Sequence, residues 1–189
     1  MRAAVLVFGI CILGVSPLFA ADTPRFELGA GYTFLRDTDR SESFPAGWAI
    51  SASGNVNSWI GVVSEVGGSH RSCDNCPRGP FATERFRGTN LDVRILTFMA
   101  GPRVASHANS LVTPFAQVLL GGSHISGGIE WDGALNTGFT YQPGAGVDVR
   151  VARNAAVRVQ GDYRIIRTSG RNNRESRFLA GVVWSRGAL

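Results

Sequence analysis

Few residues in this chain of 189 have types and spacing that suit covalent chemistry. The stretch Gly122-Ser-His124-Ile-Ser126-Gly-Gly-Ile-Glu130 sets a histidine, a serine two positions on and a glutamate close together. A serine hydroxyl attacks an ester only when a base takes its proton, and a carboxylate can orient that base. The three types together therefore suit acyl-ester cleavage. They equally suit a rim histidine followed by a flexible glycine-rich loop, because an alternating segment ends near His124 and the other two groups run on beyond it. The chain is read as non-enzymatic, with an esterase at His124 and Ser126 as the alternative.

The second candidate is His70-Arg-Ser-Cys73-Asp-Asn-Cys76-Pro77. A structural metal site needs four ligands, and these residues supply three, so neither a metal nor a cofactor is expected. Whether the cysteines pair depends on compartment. Met1-Arg2, an apolar run from Ala3 to Val15, and Ser16-Pro-Leu-Phe-Ala20 read as a signal peptide over residues 1–20. The run is too short to cross a bilayer as a helix, which takes about 20 residues. Residues 21–189 then form one exported domain, where oxidation favours a Cys73–Cys76 disulfide stapling a loop.

Composition narrows the class further. Charged residues make up 17% and the net charge is +5, and all 19 basic residues are arginine. The arginines are spread through apolar segments instead of lying on one stripe, so nucleic acid is not an expected partner. What must position these groups is a series of period-two segments with no sustained helical period. Phe26, Leu28, Ala30, Tyr32 and Phe34 alternate with Glu27, Gly29, Gly31 and Thr33. Alternation also runs through Trp48–Val56, Ile60–Gly67 with a break at Val63 and Ser64, Leu91–Met99, Phe139–Val151, Val157–Ile165 and Arg177–Trp184, and least clearly through Leu111–His124. The connections alternate long and short, from a tight turn at Asn57–Ser58 to a very long Arg71–Arg87 segment, with Pro102–Ser110 intermediate. Strands of about ten residues with this loop asymmetry predict an all-β fold: an eight-stranded antiparallel up-and-down transmembrane barrel.

Alternation alone does not say which face is inside. A secreted lipocalin-like barrel would put the apolar face inward to hold a hydrophobic ligand. Glycine, however, gathers on the polar face (Gly29, Gly31, Gly61, Gly67, Gly144, Gly146, Gly181), as a narrow lumen requires. That face also carries five acids (Glu27, Glu65, Asp92, Asp148, Asp162) and five bases (Arg94, Arg150, Arg158, Arg164, Arg177), a balance a closed lumen needs. In the fourth segment this parity sends Ile95 and Met99 outward with Leu91 and Val93, opposite Asp92 and Arg94. Tyr32, Phe34, Trp48, Trp59, Phe139, Tyr141 and Trp184 lie near strand ends, where interfacial girdles sit. The polar face is expected to form a salt-bridged lumen and the apolar face to meet lipid.

The mature chain also resembles the small bacterial outer-membrane β-barrel proteins, eight-stranded relatives of the OmpA transmembrane domain and the opacity-type proteins. The resemblance is carried by Glu27-Leu-Gly-Ala-Gly-Tyr-Thr-Phe-Leu35, by Gly47-Trp-Ala-Ile-Ser-Ala-Ser-Gly-Asn-Val-Asn-Ser-Trp-Ile-Gly61, and by Phe98-Met-Ala-Gly-Pro-Arg103. Pro114-Phe-Ala-Gln-Val-Leu-Leu-Gly-Gly-Ser-His124, Gly144-Ala-Gly-Val-Asp148 and Gln160-Gly-Asp-Tyr163 continue it in order. It implies residence in the outer membrane, insertion by the barrel-assembly machinery, and contact with outer-membrane lipid and lipopolysaccharide. It implies no particular activity, and the external ligand stays unknown. His124-Ile-Ser126 also resembles the His-x-Ser motif of outer-membrane lipid A deacylases, but Gly127 stands where those enzymes carry asparagine. External loops are the expected contact surface. The second carries Arg71, Arg78, Arg85 and Arg87 against Asp74 and Glu84, and the fourth carries Arg167, Arg171 and Arg174 against Glu175.

Overall fold

The computed structural model describes residues 23–37, 43–73, 91–127, 137–168 and 171–188. The expected signal peptide, Cys76, Glu130 and most of the long loops lie outside the described residues, as does the side chain of Cys73. Eight strands follow one another: β1 Pro24–Asp37, β2 Ser43–Asn55, β3 Ile60–Cys73, β4 Leu91–Ala105, β5 Val112–Gly127, β6 Thr137–Ala152, β7 Ala155–Thr168 and β8 Arg171–Ala188. Each pairs antiparallel with the next, and β8 closes on β1 from Pro24↔Ala188 to Asp37↔Glu175. Closure satisfies the backbone of every strand within the sheet, the condition for crossing a bilayer with strands.

The strands run farther than the sequence alternation implied, 13 to 18 residues each. Short links gather at one end with the chain termini. There Asn57 Oδ1 accepts the backbone N–H of Trp59 (3.0 Å) and Ile60 (2.7 Å), and Asn109 Oδ1 accepts those of Leu111 (2.8 Å) and Val112 (3.3 Å). A short amide side chain that caps its own turn is what makes these links so tight. The two longest connections, residues 74–90 and 128–136, lie at the opposite end with the links 38–42 and 169–170, and the topology assigns that end to the cell exterior.

Pro102, read from sequence as the start of a turn, instead stands inside β4 opposite Val62. Having no N–H, proline interrupts a ladder. The β4–β5 pairing accordingly skips from Ala100↔Leu120 to Arg103↔Gln117 and then resumes. β4 thus reaches Ala105, and Arg103 becomes a barrel residue.

The face assignment follows the exposures. Phe26, Leu28, Tyr32, Trp48, Ile50, Phe98, Val159, Phe178 and Val182 point outward, while Glu27, Glu65, Asp148, Arg158, Asp162, Arg164 and Arg177 are buried. A solvated protein could not hide its charges and expose its aromatics in this way without losing its main driving force. The arrangement is the inverse of a lipocalin-like core.

Candidate functional site

Two layers of ion pairs fill the lumen. Toward the short-turn end, Arg103 donates to Glu27 Oε2 at 2.8 Å and to Asp148 Oδ2 at 2.9 Å. Arg158 forks onto the same Asp148, with Nε to Oδ1 at 2.7 Å and Nη2 to Oδ2 at 2.8 Å, and approaches Glu27 at 3.6 Å. The Phe115 ring lies against both guanidiniums, its centroid 4.1 Å from Arg103 and 4.7 Å from Arg158. Planar guanidiniums suit this double task of pairing carboxylates in the plane and covering a ring with the face.

The second layer centres on Arg177. It donates to Asp162 Oδ2 and to Glu65 from β8, β7 and β3 respectively, with contacts of 2.7 and 2.8 Å. Gln160 Nε2 donates to both oxygens of Asp162, at 2.8 and 3.1 Å. Arg164 donates to Gln142 Oε1 at 2.8 Å and lies 3.7 Å from Glu175. The paired side chains of both layers expose no more than 8% of their surface. Val63, Met99 and Leu119 form an apolar cluster beside them. Between Gly29, Ser51, Glu65, Arg158 and Gln160 remains a void of about 10 Å³, room for roughly one water molecule.

Inward glycines make space for these large side chains. A Cβ on Gly29 would stand 2.6 Å from Ser51 Oγ and 3.5 Å from Arg158 Nη1, and one on Gly146 would stand 2.6 Å from the Phe115 ring. A Cβ on Gly144 would fall on the Asp162 carboxylate. Gly144→Val should therefore displace Asp162 from Arg177 and lower the unfolding free energy by about 1–3 kcal/mol, readable from denaturant unfolding in lipid. A change below about 0.5 kcal/mol, the size typical of a surface substitution, would mean the lumen is not packed here.

The sequence-predicted lumen residues divide. Glu27, Glu65, Asp148, Arg158, Asp162, Arg164 and Arg177 come together as described. Arg150 is half-buried near the short-turn end and takes no part in the ion pairs among the described residues. The side chain of Asp92 lies outside the described residues. Arg94 is a correction: it is exposed on the outer wall. Directly opposed residues of paired strands share a face, and Glu65↔Met99, Ser69↔Ile95 and His70↔Arg94 are opposed. With Glu65 inside, Met99 and Ile95 are drawn inside, and Arg94 goes out with His70. The inward place in β4 belongs to Arg103, 2% exposed, which the turn reading of Pro102 concealed. Glu175, read as a loop residue, is 1% exposed inside β8, and Gln117, Gln142 and Gln160 are buried with it. His124 is exposed on the outer wall of β5. The side chains of Ser126 and Glu130 lie outside the described residues.

The outer wall has its own pattern. Tyr32 and Trp48 are opposed near the long-loop half, and Trp184 and Trp59 mark the short-turn end. Arg36, Arg94 and Arg167 are exposed near the external ends of their strands, with the Arg167 guanidinium 5.8 Å from the Tyr141 ring centroid. Aromatic belts backed by arginine at one rim are the signature of an interface between hydrocarbon and anionic headgroups.

Residues 3–185 match the family described as outer membrane protein beta-barrel domain. The chain belongs to that family. An outer-membrane β-barrel is therefore what the ion-paired lumen and apolar wall serve. Among solved structures, Neisserial surface protein A is similar at 15% identity, with a TM-score of 0.62 over 85% of this chain and 95% of that one. OprG of Pseudomonas aeruginosa is 10% identical with a TM-score of 0.57, covering 89% and 99%. Ail, the attachment invasion locus protein of Yersinia pestis, was solved with the heparin analogue sucrose octasulfate; it is 12% identical with a TM-score of 0.52, covering 84% and 95%. At such identities these likenesses show the fold. Comparison with curated protein sequences finds no match.

Proposed function

We propose that this outer-membrane barrel is a non-enzymatic, non-conducting scaffold whose external end and outer rim make its contacts. The observation that carries the proposal is the two-layer ion-pair plug, in which arginines from β4, β7 and β8 bind carboxylates from β1, β3, β6 and β7 across the lumen. An ion would have to separate buried pairs to pass, and breaking such a pair costs several kcal/mol. Eight strands leave no other route, since side chains fill a barrel of this size.

Esterase chemistry is disfavoured by what is directly opposed to His124. It stands on the outer wall, its direct partners across the sheet being Leu96 and Thr137. Neither of these is a carboxylate that could orient the imidazole as a base. The partners we propose are outer-membrane lipid and lipopolysaccharide around the arginine rim, with the barrel-assembly machinery as the route of insertion. The second external loop, with Arg71, Arg78, Arg85 and Arg87, extends the same cationic chemistry outward. The heparin analogue solved in complex with Ail is in keeping with polyanion contact.

Planar-bilayer recording tests the plug. The refolded chain should give no steady conductance, while R177M combined with R164M should open measurable flickering currents by removing the upper layer. A steady current through the unaltered barrel overturns the scaffold reading.

A further inference from the structure

On the outer wall near the external end lies a groove of about 640 Å³, lined among others by Trp48, Gly68, His70, Arg94, Leu96 and His124. We propose that this groove binds one acylated glycolipid of the outer leaflet, its phosphate held by Arg94 with His70 and His124 and an acyl chain lying along Trp48, Gly68 and Leu96. The proposal deepens the reading of lipopolysaccharide as a partner and rests on it.

Register brings the polar groups together. His70 is directly opposed to Arg94, and His124 is opposed to Leu96, the neighbour of Arg94 on the same face. Opposed side chains have Cβ atoms about 5 Å apart and diagonal ones about 7–8 Å, so Arg94 on β4 stands between the two imidazoles, within reach of each. Arg94 has no ion pair among the described residues, and Nδ1 of His70 is buried with no hydrogen-bond partner among them. An unneutralised guanidinium on a lipid-facing wall is tolerated only at headgroup depth, and there its fork matches phosphate oxygens. Arg94 lies three residues inside the external end of β4, at that depth.

The apolar half is cut by Gly68. A Cβ there would meet the Trp48 indole at 2.6 Å from Nε1, so the ring lies down across the glycine and leaves a recess bounded by Leu96. A volume of this size suits a drug-sized ligand or part of a lipid, and its two chemistries are segregated as in a lipid: Arg94 and the imidazoles above, apolar surface below. Arg167 has no such setting, since it lies against the Tyr141 ring.

The test is native mass spectrometry of the refolded barrel in detergent, titrated with hexa-acylated lipid A bearing both phosphates, the same lipid without phosphates, or phosphatidylglycerol. The unaltered barrel should retain one phosphorylated lipid A. R94Q should weaken retention about tenfold, H70Q with H124Q by several-fold, and removal of the phosphates should match R94Q. Neutralising Arg78, Arg85 and Arg87 in the loop should leave this single lipid in place. Retention unchanged in R94Q, with a folded barrel by gel mobility, overturns the groove as the site. If R94Q does not fold, H70Q with H124Q carries the same decision. Equal retention of phosphatidylglycerol overturns the assignment to glycolipid. Indifference of the unaltered barrel to all three lipids overturns the lipopolysaccharide reading itself.

Discussion

Replacing Arg177 with methionine should lower the unfolding free energy by about 3–5 kcal/mol, the largest single effect expected in this barrel. Arg177 is 1% exposed and holds Glu65 and Asp162 from opposite sides of the lumen. Its removal takes the direct ion-pair partner from two buried carboxylates. The loss should be mostly recovered in R177M/E65Q/D162N, because removing both partners of a buried pair costs far less than removing one. Denaturant unfolding in lipid, followed by tryptophan fluorescence, measures all of these. A single-variant loss under about 1 kcal/mol would show that water reaches the pair and that the lumen is not closed at this layer.

The second large effect lies on the other face. Val159 is 62% exposed near the middle of β7, between Val147 and Ala180. Val159→Arg should cost about 2–4 kcal/mol, the value for arginine on a lipid-facing wall near the bilayer midplane. Val159→Phe should cost almost nothing, since fluid hydrocarbon makes room for a larger apolar side chain. The pair of variants distinguishes lipid from a packed core, where the added volume would itself cost about 1–3 kcal/mol. A destabilised V159F would contradict the outward placement of this face.

How legible the barrel was in the sequence depends on the strand. In β1, β6, β7 and β8 one face is almost uniformly apolar and the other mostly polar or glycine, with Leu35, Ile166, Leu179 and Val183 as buried exceptions, so alternation alone places Glu27, Asp148, Arg158 and Arg177 inside. β4 carries apolar residues on both faces: Ile95 and Met99 meet an apolar part of the lumen, while Leu96, Phe98 and Val104 meet lipid. With hydrophobicity balanced, alternation has no contrast, and only the register with β3 fixes the face. Alternation therefore points Arg94 inward and hides Arg103, the reverse of their places in the barrel. The one available signal was Arg103 itself, a charge four residues after Met99 in a strand that had not yet ended. Glu175 was obscured differently. β8 begins within the polar run Arg171-Asn-Asn-Arg-Glu175, because barrel strands extend past the bilayer, where polar composition no longer marks a loop.

That the apolar face meets lipid and the charged face fills the lumen is checked by refolding residues 21–189 with and without detergent micelles and comparing unheated with boiled samples by gel electrophoresis. Folding is expected only in micelles, with a compact band that shifts on boiling as the closed sheet opens. A soluble, monodisperse protein in plain buffer, with no heat-dependent shift, would contradict it and place the apolar face inside.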